Sequence, residues 1–244
     1  MKNEMSQMMK SYLQLKENYK DCIVFYRLGD FYEMFFDDAV LVSRLLDLTL
    51  TGRNCGLEER APMCGVPYHA VDTYLSKLIA LGYKVAVCEQ LNTPEEAGGK
   101  LVDRDVVRVI TPGTVIEDTL LDEKKNNYLA CIYSGKDACA IAWIDISTGE
   151  FCTCQTDGAS VEGVEPMLSM LTPAEIICNA PAKKESEKFS DIRLGKLPVF
   201  NAYSEDAFKL NKAEKLLNEH FTTSTLDGFG LKGKIGRASC RERV

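Results

Sequence analysis

With 244 residues, 45% of them hydrophobic, the chain is long enough for one large domain or two ordinary ones, each with its own core. Its longest apolar runs, 21–28 and 138–146, are strand-length and broken by polar residues, and residues 1–20 are too charged for a signal peptide, which together exclude a membrane-embedded protein and predict a cytoplasmic one. A formal charge of −7 excludes a protein that grips nucleic acid over its whole surface, because phosphate neutralisation draws on Lys and Arg; any DNA contact must be local or supported by other parts of a larger protein.

In chain order, the apolar spacing of Met5, Met8, Met9, Tyr12 and Leu13 predicts an amphipathic helix within 5–20. Residues 21–28 and 31–36 read as two strands around Gly29-Asp30, a tight hairpin in which glycine supplies the positive φ of the first turn position. Asp37 or Asp38 is the expected N-cap of a following helix whose inner face is Val40, Leu41, Leu45 and Leu46. A strand is expected at 48–51, then a loop over 52–60, then an irregular turn over 61–69 marked by Pro62, Gly65 and Pro67. Val71, Tyr74, Leu75, Leu78 and Ile79 repeat at helical spacing, with Gly82 where a C-terminal cap belongs. Two more strands follow at 83–90 and 105–111, separated by a polar loop at 92–100. Strands alternating with helices make this first unit an α/β domain with a mixed sheet, assigned to 1–120. A second unit, assigned to 127–234, opens with a three-stranded meander at 128–133, 138–147 and 150–156. Helices are predicted at 160–170 and 206–220, and a short strand at 175–178.

The ten cysteines are scattered with no CxxC pair, and the two histidines, His69 and His220, do not complete a zinc site of ordinary spacing. They predict reduced, mostly buried thiols. His69 follows Pro67 at a helix start and reads as a local hydrogen-bonding residue of structural use.

The constellation with the most chemistry is Gly29 to Glu33. Residues two apart on a strand share a face, so Phe31 and Glu33 project together beside the turn while Tyr32 and Met34 point the other way. An aromatic at a hairpin tip can wedge between base steps, and stacking on a base contributes ~1–3 kcal/mol. A glutamate beside phosphates needs a specific use: it can accept from a base N–H or, if DNA contact desolvates and protonates it, donate to a ring nitrogen. Taken alone, the triplet is better explained by a core phenylalanine and a solvated glutamate, because aromatic-x-acid triplets arise often by chance.

The longer strings reverse that balance. FYRLGDFYEMFFDDA over 25–39, LLDLTLT over 45–51, PMCGVPYHA over 62–70 and VRVITPGT over 107–114 closely resemble the mismatch-recognition domain of MutS-family proteins, in family order. Residues 127–155 and 226–230 resemble that family's RNase H-like connector domain. The resemblance implies a mixed-sheet α/β mismatch-recognition domain followed by an RNase H-like α/β connector domain. It assigns Phe31 to the intercalating phenylalanine and Glu33 to the base-contacting glutamate, a pair that favours the bacterial mismatch-repair branch. It also implies mismatched double-stranded DNA as partner, repair proteins docked through the connector, a homodimer in the full-length protein, and residence in the bacterial cytosol with the nucleoid. No cofactor is expected in this fragment; ATP and Mg belong to a C-terminal region beyond it.

Arg53, Arg104 and Arg108 are candidate phosphate contacts, although each is equally well read as a solvated surface charge. Pro62 and Met63 could line a minor groove, with core packing the better expectation for Met63. The P-loop-like spacing over 228–234 lacks both the Ser or Thr after its lysine and a preceding strand, so it is set aside. Asp145 sits where an RNase H-like nuclease would hold metal, but it has no convergent carboxylates in the sequence and reads as a turn residue; a nuclease is the rival to a binding module. Cys152 and Cys154 share a strand face and read as packing. The last ten residues, 235–244, are basic and aperiodic, resemble the conceptual translation of a short-read sequencing adapter, and are expected to be an artefact.

Overall fold

The computed structural model describes residues 4–92, 98, 102–117, 120–121, 125–187 and 198–229. The tail at 235–244 and most of the 92–100 loop and the 228–234 string lie outside the described residues. The chain divides into two compact units, Met1–Thr111 and Pro112–Val244.

The first unit begins with helix α1 (Gln7–Asn18), capped by the Ser6 side chain, which accepts from the Met9 N–H. Strands β1 (Ile23–Leu28) and β2 (Phe31–Phe35) form the expected hairpin, in which Leu28 pairs with Phe31 and Gly29 takes φ +58°. Helix α2 (Phe36–Leu46) follows β2 without a loop because Phe36 itself adopts φ +52° and bends the chain. The cap position is therefore Phe35, and Asp37 and Asp38 fall in the first turn rather than capping it. Asp37 lies where the helix dipole favours an anion, while Asp38 turns inward, accepting from the Val24 N–H (3.0 Å), the Lys16 ammonium (2.9 Å) and the Tyr12 hydroxyl (3.3 Å).

The buried face of α2 is Asp38, Ala39, Val42 and Ser43, one step round from the expected Val40, Leu41, Leu45 and Leu46, which are half-buried. Small residues let the helix approach the sheet, and the longer apolar ones flank the contact. Asp47, at φ +54°, ends the helix and the Leu48 N–H turns back to the Ser43 carbonyl, so the next strand, β3, spans Thr51–Arg53 rather than 48–51.

A larger correction concerns residues 61–67, which form strand β4 (Ala61–Pro67), not an irregular turn. Its two prolines stand at its second and last positions, near the ends of the ladder where a missing N–H costs least, and the interior remains free to pair. Its N-terminal half pairs with β3 and its C-terminal half with β2. After a 3-10 turn at Tyr68–Ala70 come α3 (Val71–Ala80), β5 (Val85–Gln90) and β6 (Arg104–Ile110). The sheet order is β3-β4-β2-β1-β5-β6, antiparallel except for the β1–β5 pair. One face carries Met9 and Tyr12 of α1 against Val24, Tyr26, Phe35, Ala61, Ala86 and Cys88. α2 and α3 pack on the other, α2 against β2 and β4 and α3 against β4 and β5.

The second unit holds the meander β7 (Tyr128–Ser134), β8 (Ala138–Asp145) and β9 (Glu150–Asp157), followed by α4 (Glu165–Leu171) and β10 (Glu175–Cys178). Two elements not foreseen come next, α5 (Ala180–Ser186) and β11 (Phe200–Ala202), and then α6 (Leu210–Phe221). The sheet order is β11-β10-β7-β8-β9, with β10 parallel to both neighbours, the RNase H-like arrangement. Both faces are apolar: Ile132, Ile141, Leu168 and Ile176 belong to one core, and Leu129, Cys131, Ile177 and Phe208 to the other. No helix among the described residues is long and apolar enough to cross a membrane.

Candidate nucleic-acid interface

The β1–β2 hairpin sorts its residues as strand periodicity requires. Tyr32 and Met34 are buried, whereas Phe31 is 46% exposed beside the turn. A phenylalanine placed in a core would be covered, so the core reading of Phe31 fails. Pro67 lies opposite Phe31 on β4, and Gly65 lies opposite Glu33. A Cβ on Gly65 would stand 3.4 Å from Glu33 Cγ and 3.2 Å from the Tyr32 carbonyl oxygen, so the glycine provides the space that the Glu33 side chain occupies.

Glu33 is not a bare anion. Arg53 Nη1 donates to Glu33 Oε2, with the glutamate side chain 15% and the arginine side chain 37% exposed. Two residues proposed separately, one for bases and one for phosphates, thus form one ion pair beside Phe31.

The other two arginines are placed differently. Arg104 Nε donates to the Arg27 carbonyl (2.8 Å), Nη1 donates to the Val102 carbonyl (2.8 Å), and the guanidinium lies 5.3 Å from the Tyr26 ring centroid. Its donors serve the sheet end, on the face that carries Phe31 and Glu33. Arg108 is exposed, but it pairs with Val87, while a register shift at Val87/Cys88 pairs Val106 with Cys88. The bulge changes the parity of β6, which puts Arg108 on the opposite face of the sheet from Phe31. The three arginines therefore do not form one patch.

Pro62 is half-buried, and Met63 packs against the core beneath α1, as the packing reading requires. His69 is exposed and its contact is aromatic, the ring set edge-on to Tyr68 at 5.8 Å, in place of the expected hydrogen bond.

Behind the hairpin, on the α2/α3 side, is a cluster that pattern reading overlooked. Arg27 pairs across the hairpin with Tyr32. Its guanidinium lies 4.0 Å from the Tyr68 ring centroid and 5.4 Å from that of Tyr32, and its Nε donates to the Gly29 carbonyl. The Tyr32 hydroxyl donates to Glu89 Oε1; burial, aided by Glu89, pushes that phenol up to about 12, so it stays a donor at neutral pH. The two-residue turn fixes the Arg27–Tyr32 register and was the available signal.

Asp145 is fully buried at the end of β8. It accepts from the Ser147 hydroxyl (2.6 Å) and from the backbone N–H groups of Ser147 (2.9 Å), Asn127 (3.2 Å) and Thr148 (3.4 Å), which is the work of a turn residue. Among the described residues no three His, Cys, Asp or Glu side chains are grouped to hold a metal. Cys152 and Cys154 are half-buried free thiols packed against the first core of the second unit.

Two family models match the chain: residues 6–119 match MutS domain I and residues 127–240 match MutS domain II. The protein called DNA mismatch repair protein MutS in Alkaliphilus oremlandii is 52% identical over 230 residues, covering 93% of this chain and 26% of that protein. Its namesake in Ruminiclostridium cellulolyticum is 48% identical over 221 residues, covering 90% of this chain and 25% of that protein. The Ehrlichia ruminantium (strain Gardel) protein of the same name is 44% identical over 236 residues, covering 95% and 28%. The chain thus spans about a quarter of the length of the curated relatives it matches.

Proposed function

This chain belongs to the MutS family, carrying that family's domains I and II, and from that premise we propose that it reads mispaired bases in duplex DNA, with Phe31 as the wedge and Glu33 as its polar partner. The observation that carries the reading is the exposure of Phe31 at the edge of a Gly29-Asp30 turn while its strand neighbours Tyr32 and Met34 are buried. A mispaired step unstacks and bends at lower cost than a paired one, so an apolar ring pressed into the minor groove enters there preferentially. Glu33, largely covered and neutralised by Arg53, can approach the groove without the full repulsion of an isolated anion and offer its second oxygen to a base edge.

Charge supports the rest of the proposal. At −7 the chain cannot supply the grip that duplex binding needs. The holding function belongs to other parts of a longer protein, which we take to be a homodimeric, bacterial cytosolic ATPase that binds ATP and Mg outside residues 1–234 and associates with the nucleoid. In this arrangement the two domains bind and do not catalyse, and the connector offers a surface to repair partners. Arg53, Arg104 and Arg108 were candidate phosphate contacts; the reading keeps Arg53 near the DNA as the partner of Glu33 and gives Arg104 a supporting role.

The test is binding by the full-length protein to mismatched and perfect duplexes at fixed salt. Phe31→Ala is expected to abolish the preference for the mismatch; an unchanged preference would refute the wedge role. The isolated 244-residue chain is expected to hydrolyse no ATP.

A further inference from the structure

A wedge must resist the base pair it separates. The Gly29-Asp30 turn is the end of the β1–β2 pair, and opening a base step costs a few kcal/mol that a yielding tip would dissipate. The hairpin tip here is tied from outside at both turn residues. The Gly29 carbonyl accepts from Arg27 Nε, the Gly29 N–H donates to Gln90 Oε1 (3.2 Å), and the Asp30 carbonyl accepts from the Tyr68 N–H (2.9 Å). Arg27 is the centre of this arrangement. Its guanidinium faces the Tyr68 and Tyr32 rings, sits 3.9 Å from Glu89 Oε2, and its own carbonyl is held by Arg104. The planar, multi-donor guanidinium can stack and hydrogen-bond at once, which an ammonium cannot do.

We propose that Arg27 is a positioning residue for mismatch recognition: clamped between Tyr68 and Tyr32 and bonded to the Gly29 carbonyl, it braces the turn so that Phe31 enters the duplex without the hairpin folding back. The proposal rests on the wedge reading of Phe31. It assigns Arg27 no contact with DNA, because its guanidinium is engaged on the sheet face opposite Phe31.

The experiment uses the full-length protein and a duplex with 2-aminopurine beside the mismatch, whose fluorescence reports unstacking. The amplitude at saturating protein does not depend on affinity, so a purely structural loss of folded protein or of binding strength would leave it unmoved. Arg27→Met is expected to lower the saturated amplitude and to reduce the mismatch-to-perfect affinity ratio by about fivefold, the scale of one lost stacking or hydrogen-bond contribution. An amplitude within the wild-type range overturns the proposal. Arg27→Lys keeps the charge and loses the plane and fork; full restoration by lysine would reassign Arg27 to phosphate attraction and also overturn it. If Arg27→Met does not fold, Tyr68→Leu removes only the exposed half of the clamp and is expected to lower the amplitude in the same direction, an unchanged amplitude again overturning the proposal. Phe31→Ala run in parallel separates the two levels: wild-type discrimination there defeats the wedge, whereas its loss alongside an unaffected Arg27→Met defeats the brace alone.

Discussion

The Glu33 side chain leans over Gly65 and meets Arg53, on a strand with which β2 shares no backbone hydrogen bond. The pair is coupled, and the coupling is measurable. Arg53→Gln is expected to weaken duplex binding by the full-length protein by leaving Glu33 uncompensated, and adding Glu33→Gln is expected to recover much of that loss. A double-mutant cycle should show an interaction of about 1 kcal/mol. Strictly additive losses would mean that Arg53 acts on phosphate independently of Glu33.

Gly65 is required for space, not for an unusual backbone. Because one of the atoms that an added Cβ would press is the Tyr32 carbonyl oxygen at 3.2 Å, the backbone has to give. Gly65→Val is expected to cost about 1–3 kcal/mol, read as a lower urea midpoint of the chain. An unchanged midpoint would show that β4 can shift away from β2.

Asp145 is expected to matter for stability. Its replacement by alanine strands a hydroxyl and backbone N–H donors at the end of β8, a loss of about 2–3 kcal/mol that thermal melting would register. Asp145→Asn, which keeps an acceptor oxygen, is expected to lose less. A metal-dependent cleavage activity removed by either change would instead put the carboxylate to catalytic use.

The thiols divide by burial. Burial pushes Cys22, Cys88 and Cys178 up to about 12 and Cys64 and Cys139 to about 11, so at pH 8 they are protonated as well as covered. Of the nine described cysteines, Cys152 and Cys154 are expected to react first with iodoacetamide, followed by peptide mapping, with the others labelled only on unfolding. Early labelling of Cys64 or Cys88 would reveal local opening of the first sheet.

What the sequence made legible was set by short-range rules. The hairpin, its glycine and the alternation that exposes Phe31 above buried Tyr32 all follow from period two and turn chemistry within a dozen residues. β4 was missed because Pro62 and Pro67 mark a break only if the strand must donate there, and that depends on where β2 and β3 lie. The inner face of α2 was misjudged because Asp38 is buried through partners on α1 and β1, which no local window contains. The Glu33–Arg53 pair is likewise a tertiary fact: twenty residues separate its members, and only the β3-β4-β2 order brings them together.

The irregularity at Val87/Cys88 reaches further than its own two residues. Alternation along β6 is counted from wherever the ladder is in phase, and here the count restarts between Val106 and Arg108. A ladder that ran on in phase from Val106 through Val107 would set Arg108 opposite Ala86 and carry its guanidinium to the side where Phe31 stands. In a protein of this charge, the phase of one edge strand is thus a lever on the electrostatics of the face that carries Phe31.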